Sequence, residues 1–203
     1  MYDSGVSVKE LVERVKKEAD IAYEISNADC LIILNSLEQL LYTGIIKEQG
    51  TISMPCPDNG IIRLSLVDIP EDESAIRFED ICTVYADDNQ LIKTNAASAD
   101  VFPNIWYRKG IDLAMGTDFE PDIITIVYYV KPALKKTNDN DVIQSGNIML
   151  PYEFVEIAAA KLRGEMYKIA NEDVLSAKWI NDYNALVETF KLWVSERHAS
   201  FGC

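Results

Sequence analysis

Apolar residues recur at helical spacing through the first quarter of the chain. Val8, Leu11, Val12, Val15 and Ala19 form one stripe. Ser7 precedes it, with Glu10 three residues on, the pattern in which a hydroxyl and a carboxylate cap a helix start reciprocally. The spacing predicts a helix over residues 8–20. A second start signal, Ser26-Asn27-Ala28-Asp29, opens a run in which Leu31, Leu34, Leu37, Leu41 and Ile45 keep the same period until Gln49-Gly50 offers a stop. Cys30, Ile32, Ile33 and Leu40 widen its apolar arc. This second helix is therefore expected to be covered on more than one side and to be the central one.

From Thr51 the period changes. Pro55, Pro57 and Asp58-Asn59-Gly60 punctuate short runs rich in Ile, Val, Thr and Tyr, which read as strands at 61–67, 76–85, 90–94, 104–108, 110–115 and 123–130. Asp58-Asn59-Gly60 and Asp87-Asp88-Asn89 are expected to form tight hairpins, because these residues tolerate positive φ. Residues 131–147 (KPALKKTNDNDVIQSGN) hold no sustained period and read as a long polar loop. Pro151 and Glu153 suit a helix start, and Val155, Ala158, Ala159, Leu162, Met166 and Ile169 define a third helix. Asn171-Glu172-Asp173 breaks it. The fourth helix carries two stripes, Ile180, Tyr183, Val187, Phe190 and Val194 beside Trp179, Leu186 and Trp193. That breadth requires cover from the other helices or from an adjacent subunit. The expected class is α+β, a four-helix core of two N-terminal and two C-terminal helices with an inserted antiparallel β domain. The divisions fall at 1–50, 51–147 and 148–203.

Composition narrows the class further. The 203 residues are 48% hydrophobic and 26% charged, enough apolar content for a sizeable core and too much for wholesale disorder. The longest apolar runs, such as 123–130, are too short to cross a bilayer, and MYDSGVSVKE lacks a basic segment followed by an apolar one, so no membrane anchor or secretory leader is expected. A net charge of −14, concentrated in residues 51–150, repels phosphate. Cys30, Cys56, Cys82 and Cys203 lack CxxC spacing and partner histidines, so they read as reduced thiols of an intracellular protein.

Catalytic patterns do not emerge. His198, the single histidine, sits beside Arg197 near the end of the last helix, where a cation suits the helix dipole. GxSxG, HExxH, GxxxxGK[ST] and GxGxxG do not occur. Asp139 and Asp141 loosely resemble a calcium loop that lacks its glycine and closing glutamate. The acids Asp68, Glu71, Asp72 and Glu73, and the pair Asp87-Asp88, are expected to face water. Trp106 and Tyr107 beside Arg108 and Lys109 suggest a base-stacking patch, but alternation puts Ile105 and Tyr107 on one sheet face and Trp106 on the other, which favours core packing. No catalytic, cofactor-binding or metal site is expected, and no cofactor.

The order of segments carries a resemblance. NADCLIILNSLEQLL, with Asn27, Asp29, Leu31, Leu34 and Asn35, is similar to a stretch near the N-terminus of head-to-tail connector, or adaptor, proteins of tailed bacteriophages. ITIVYYVKP at 124–132, a polar loop, Ile148-Met149-Leu150-Pro151-Tyr152 and the paired C-terminal helices with Ala177, Trp179 and Tyr183 continue it over about half of the chain. The resemblance implies a non-enzymatic virion protein at the neck, made in the host cytoplasm. It implies a homo-oligomeric ring below the portal, twelve copies in the family, that extends the DNA channel and meets tail or nozzle proteins. DNA would pass without sequence-specific binding, and no membrane is involved. An acidic wall suits such a conduit because it denies phosphates the counterion-release gain of a basic surface. The expected contact surfaces are the fourth helix and the 131–147 loop, with Trp179, Tyr183, Leu186, Trp193, Lys135 and Lys136 as candidate interface residues. Two other classes fit the residues: a non-phage acidic assembly or binding module that recognises peptides through its sheet, and an enzyme with an unrecognised carboxylate site.

Overall fold

The structure, a computed structural model, describes residues 1–21, 25–95, 104–118 and 120–200, with backbone alone for 198–200. It is a mixed α+β protein with four helices and two largely antiparallel sheets. The chain divides into two compact units, residues 1–46 together with 134–203, and residues 47–133.

The first unit holds α1 (Val8–Ala19), α2 (Asn27–Leu41), α3 (Val155–Ile169) and α4 (Asp173–Ser200). In α1 the five expected stripe residues are all buried. Ser7 stands at its N-cap, but its side chain makes no capping bond. The first N–H is satisfied from elsewhere, because Val8 donates to the Gly146 carbonyl at 3.0 Å. The local box is displaced by a tertiary partner. In α2 the sequence signal holds, since Ser26 Oγ accepts from the Asp29 N–H at 3.0 Å. The helix then widens into a π turn over Tyr42–Ile46 and stops at Lys47, whose φ is +52°, before the expected Gln49-Gly50.

The central helix is α3, which corrects the expectation placed on α2. It packs against α1, α2 and α4. Its Ala158-Ala159-Ala160 run is buried throughout, because methyl side chains let neighbours approach from several sides. Gly164 permits the closest approach, where a Cβ would meet Ile180 Cγ1 at 2.9 Å and where the Gly164 carbonyl accepts the buried Ser176 hydroxyl at 2.9 Å. By contrast α2 buries Leu31, Leu34, Leu37 and Leu41 but leaves Ile32 and Leu40 exposed. Among the described residues, Asn27–Ile46 is long and apolar enough to cross a membrane, at 20 residues and a mean hydropathy of 1.2. The sequence reading judged every apolar run too short. The helix passes because the π turn extends it, and it packs one face into the core of its own unit.

The second unit contains β1 (Gln49–Pro55), β2 (Ile61–Ile62), β3 (Ile81–Ala86), β4 (Asn89–Gln90), β5 (Ile92–Lys93), β6 (Ile105–Lys109), β7 (Asp112–Gly116) and β8 (Ile123–Tyr129). One sheet runs β1-β8-β3-β4 and the other β2-β7-β6-β5, antiparallel except for the β5–β6 pair. Alternation explains β8, where Ile124, Ile126 and Tyr128 are buried and the residues between them are not. The expected strand at 61–67 shrinks to two residues followed by a 3₁₀ turn at Leu64–Leu66, and the strand expected from 76 begins at Ile81 after a 3₁₀ turn at Phe78–Asp80. Asp87-Asp88 does form the β3–β4 hairpin, with Asp87 at φ +50°. Asp58-Asn59-Gly60 forms a turn but joins strands of different sheets, so it is not a hairpin. Of the Trp106–Tyr107 pair, of which one ring was expected in the core, Trp106 is buried and Tyr107 half-buried, and Ile105 is buried too.

Candidate assembly interface

The candidate residues divide into those engaged within their own unit and those free on its surface. Phe190 of α4 is fully buried, with its ring 4.8 Å from Phe154. Trp193 is half-buried against the same pair, 5.2 Å from Phe154 and 5.9 Å from Phe190, with Tyr2 at 5.8 Å and the Arg197 guanidinium at 4.2 Å over its ring. Trp179 lies under the Arg163 guanidinium at 4.5 Å, and Lys161 Nζ sits 5.3 Å from the Tyr183 ring centre. Leu186 is half-buried. The second stripe of α4 is thus mostly covered by its own chain, with cations capping the aromatic faces.

Lys135 is not at the surface. Its side chain is nearly buried and its ammonium pairs with Glu38 of α2, a carboxylate only 1% exposed that also accepts the Met149 N–H at 2.9 Å. Asn35 ties the same place down, donating to the Lys135 carbonyl and accepting from its N–H, both at 2.9 Å. Burial raises the Glu38 carboxyl above its ordinary range, opposed by the Lys135 charge. Lys136 is exposed. Segment 134–147 is a loop, as expected, and is pinned along the helical unit as a strap. Asp141 pins its far end. Its carboxylate accepts from the N–H groups of Asn27 and Ala28 at 2.6 and 2.8 Å, capping α2 from a distant part of the chain. That structural role replaces the calcium-loop resemblance, and no metal-binding group of three or more His, Cys, Asp or Glu occurs among the described residues. Asp141→Ala should cost about 0.5–2 kcal/mol, the range for losing an N-cap, measured by urea denaturation.

Exposed apolar side chains of the helical unit include Val174 and Leu192 on α4, and a second set lies on α2 beside a groove. Ile32 and Leu40 are 64% and 58% exposed, and they border a groove that also includes Ile33, Leu37 and Tyr183. Lys161 and Glu165, paired at 2.7 Å, form its polar rim. Sequence reasoning missed this surface by expecting α2 to be covered on more than one side. The signal was present, because Ile32, Ser36 and Leu40 share a face at four-residue spacing that the Leu31-Leu34-Leu41 stripe does not use. It also missed the buried ions. Besides Glu38 with Lys135, Asp80 and Lys131 pair at 2.5 Å in the second unit, both almost fully buried, and the nearly buried Arg163 of α3 pairs with the exposed Glu18. Glu38 was legible in retrospect, standing four residues after Leu34 and four before Tyr42 on the buried face.

Two further acids are engaged by neighbouring donors. Glu73 accepts the Tyr128 hydroxyl at 2.8 Å, and Asp87 accepts the N–H groups of Asp122 and Ile123. Burial pushes the Cys30 thiol up to about 11, as befits a core residue. Cys30, Cys56 and Cys82 are free thiols. Cys203 and the His198 side chain lie outside the described residues. Neither a family model nor a curated protein matches this sequence.

Proposed function

We propose that this chain is a structural head-to-tail connector of a tailed bacteriophage. In this reading it is a four-helix core of two N-terminal and two C-terminal helices carrying an inserted antiparallel β domain, and it assembles as a ring below the portal. The ring extends the DNA channel and offers a platform to tail or nozzle proteins. The observation that carries the proposal is the exposed apolar face of α2, Ile32 and Leu40 bordering a groove closed by Tyr183. An exposed apolar patch rimmed by polar residues is the usual mark of a protein–protein contact. The order of sequence segments supports the family, and a net charge of −14 suits a wall past which DNA slides.

Microscopy of the protein mixed with portal rings tests this directly. A symmetric annulus of this chain on the portal is expected, and a solitary globule at every ratio sinks the proposal. The double variant Ile32→Glu/Leu40→Glu should leave monomer stability within about 0.5 kcal/mol, because both positions face water. It should abolish ring assembly. A charged pair there that assembles normally would move the interface elsewhere.

A further inference from the structure

β1 is an edge strand, bonded to β8 on one side alone among the described residues. The Glu48 carbonyl accepts from the Val130 N–H and the Cys56 N–H donates to the Asp122 carbonyl, each at 2.9 Å. The register from Gln49↔Tyr129 to Pro55↔Ile123 links these two bonds in one phase. Even-numbered residues therefore turn their backbone groups toward β8, and Gln49, Thr51 and Ser53 turn theirs away. Among the described residues those outward groups have no hydrogen-bond partner. Natural sheets blunt such edges with charge, proline, bulges or brevity. The other three sheet edges, β2, β4 and β5, are two-residue strands. β1 spans seven residues, QGTISMP, with no charge and with proline only at its end.

A groove of about 680 Å³ adjoins this edge. Its lining includes four consecutive β1 residues, Ile52 to Pro55. Their side chains alternate between the two faces of the sheet, so a hollow touching all four runs along the strand's edge. Ile61, Val67 and Leu66, the last 73% exposed, also line it. Asp58 follows β1's C-terminal end, where burial, and after it the carboxylates of Asp87 and Asp58, push the Cys56 thiol up. Asp68 lines the groove, where Arg63 is the only cation.

We propose that the β1 edge and its groove bind an extended segment of another protein by strand addition, with apolar side chains alternating into the groove and a basic residue against Asp58 and Asp68. Backbone bonds to Gln49, Thr51 and Ser53 supply affinity, and the groove supplies selectivity. A second copy of this chain, bringing its own acids to the same rim, is disfavoured by charge. The inference is independent of ring assembly, which concerns the helical unit.

The probe is a capped peptide of alternating Val and Thr with two lysines at its N-terminal end, which antiparallel addition places beside Pro55–Asp58. The control replaces the lysines with glutamates. Added to the full chain, the lysine peptide should slow amide exchange at Thr51 and Ser53 and bind about tenfold or more tighter than the control. Thr51→Pro removes an outward N–H without touching the β1–β8 ladder, and should abolish binding. Leu66→Glu, at an exposed position, should weaken it even if the proline variant fails to fold. Equal binding of the two peptides, unprotected β1 amides, or full binding by Leu66→Glu would overturn the proposal. Protection that grows with protein concentration and needs no peptide would assign the edge to a second copy and also overturn it.

Discussion

Glu38→Ala is expected to lower the unfolding free energy by about 3–5 kcal/mol, the cost of leaving a buried charge without its partner. The substitution strands the Lys135 ammonium in a nearly closed site and removes the acceptor of the Met149 N–H. Both losses fall on the strap whose neighbours Ile148 and Leu150 are fully buried. The double variant Glu38→Leu/Lys135→Met should recover most of the loss, because apolar residues of similar volume carry no desolvation penalty. Urea denaturation of the two single variants and the double variant measures the coupling. A loss below about 1 kcal/mol for Glu38→Ala would mean that Lys135 reaches water on its own.

The pH dependence has a definite sign. Burial raises the Glu38 carboxyl in the folded state, so the native protein holds that proton more tightly than the unfolded chain does. The associated stability is fully present below the ordinary carboxyl range and is lost as pH climbs through the raised value. Glu38→Gln cannot ionise and should show a flatter stability profile over that window.

Phe190→Ala should cost about 3–5 kcal/mol, the range for removing a fully enclosed aromatic side chain. The ring packs on Phe154 and Trp193, and with Val187 and Val194 it holds the C-terminal half of α4 onto the helical core. Phe190→Leu keeps most of the apolar volume and should cost less. Near-ultraviolet circular dichroism and thermal melting read both effects, and a melting point unchanged by Phe190→Ala would show that this half of α4 is not packed. Trp193, half-buried against the same rings, is consequently a poor reporter of assembly. Its truncation loosens the monomer before any neighbour is involved.

Local rules account for the helices well. The stripe from Val8 to Ala19, the Ser26 cap, Pro151 ahead of α3 and the Asn171 break all act within a few residues, and the chain folds there as the pattern requires. The alternating run at 123–129 is legible for the same reason. Strand β1 was missed although Ile52 and Met54 alternate with Thr51 and Ser53, because Gly50 and Pro55 confine that alternation to four residues, Thr51 to Met54. Its pairing with β8 and the room it leaves decide its state. Gly50 yields the space that the Tyr128 ring fills, where a Cβ would meet Cζ at 2.7 Å.

Sequence by itself determined the class of each long helix, the β-rich middle and the turn at Asp87-Asp88, since periodicity, capping and turn chemistry are short-range. Tertiary structure alone decided that α3 and not α2 is central, that Lys135 and Glu38 face inward, and that Asp141 caps a helix more than a hundred residues away. Those outcomes depend on which surfaces meet, and the burial of an ion or the exposure of Ile32 is a property of the pair in contact that neither sequence segment holds on its own.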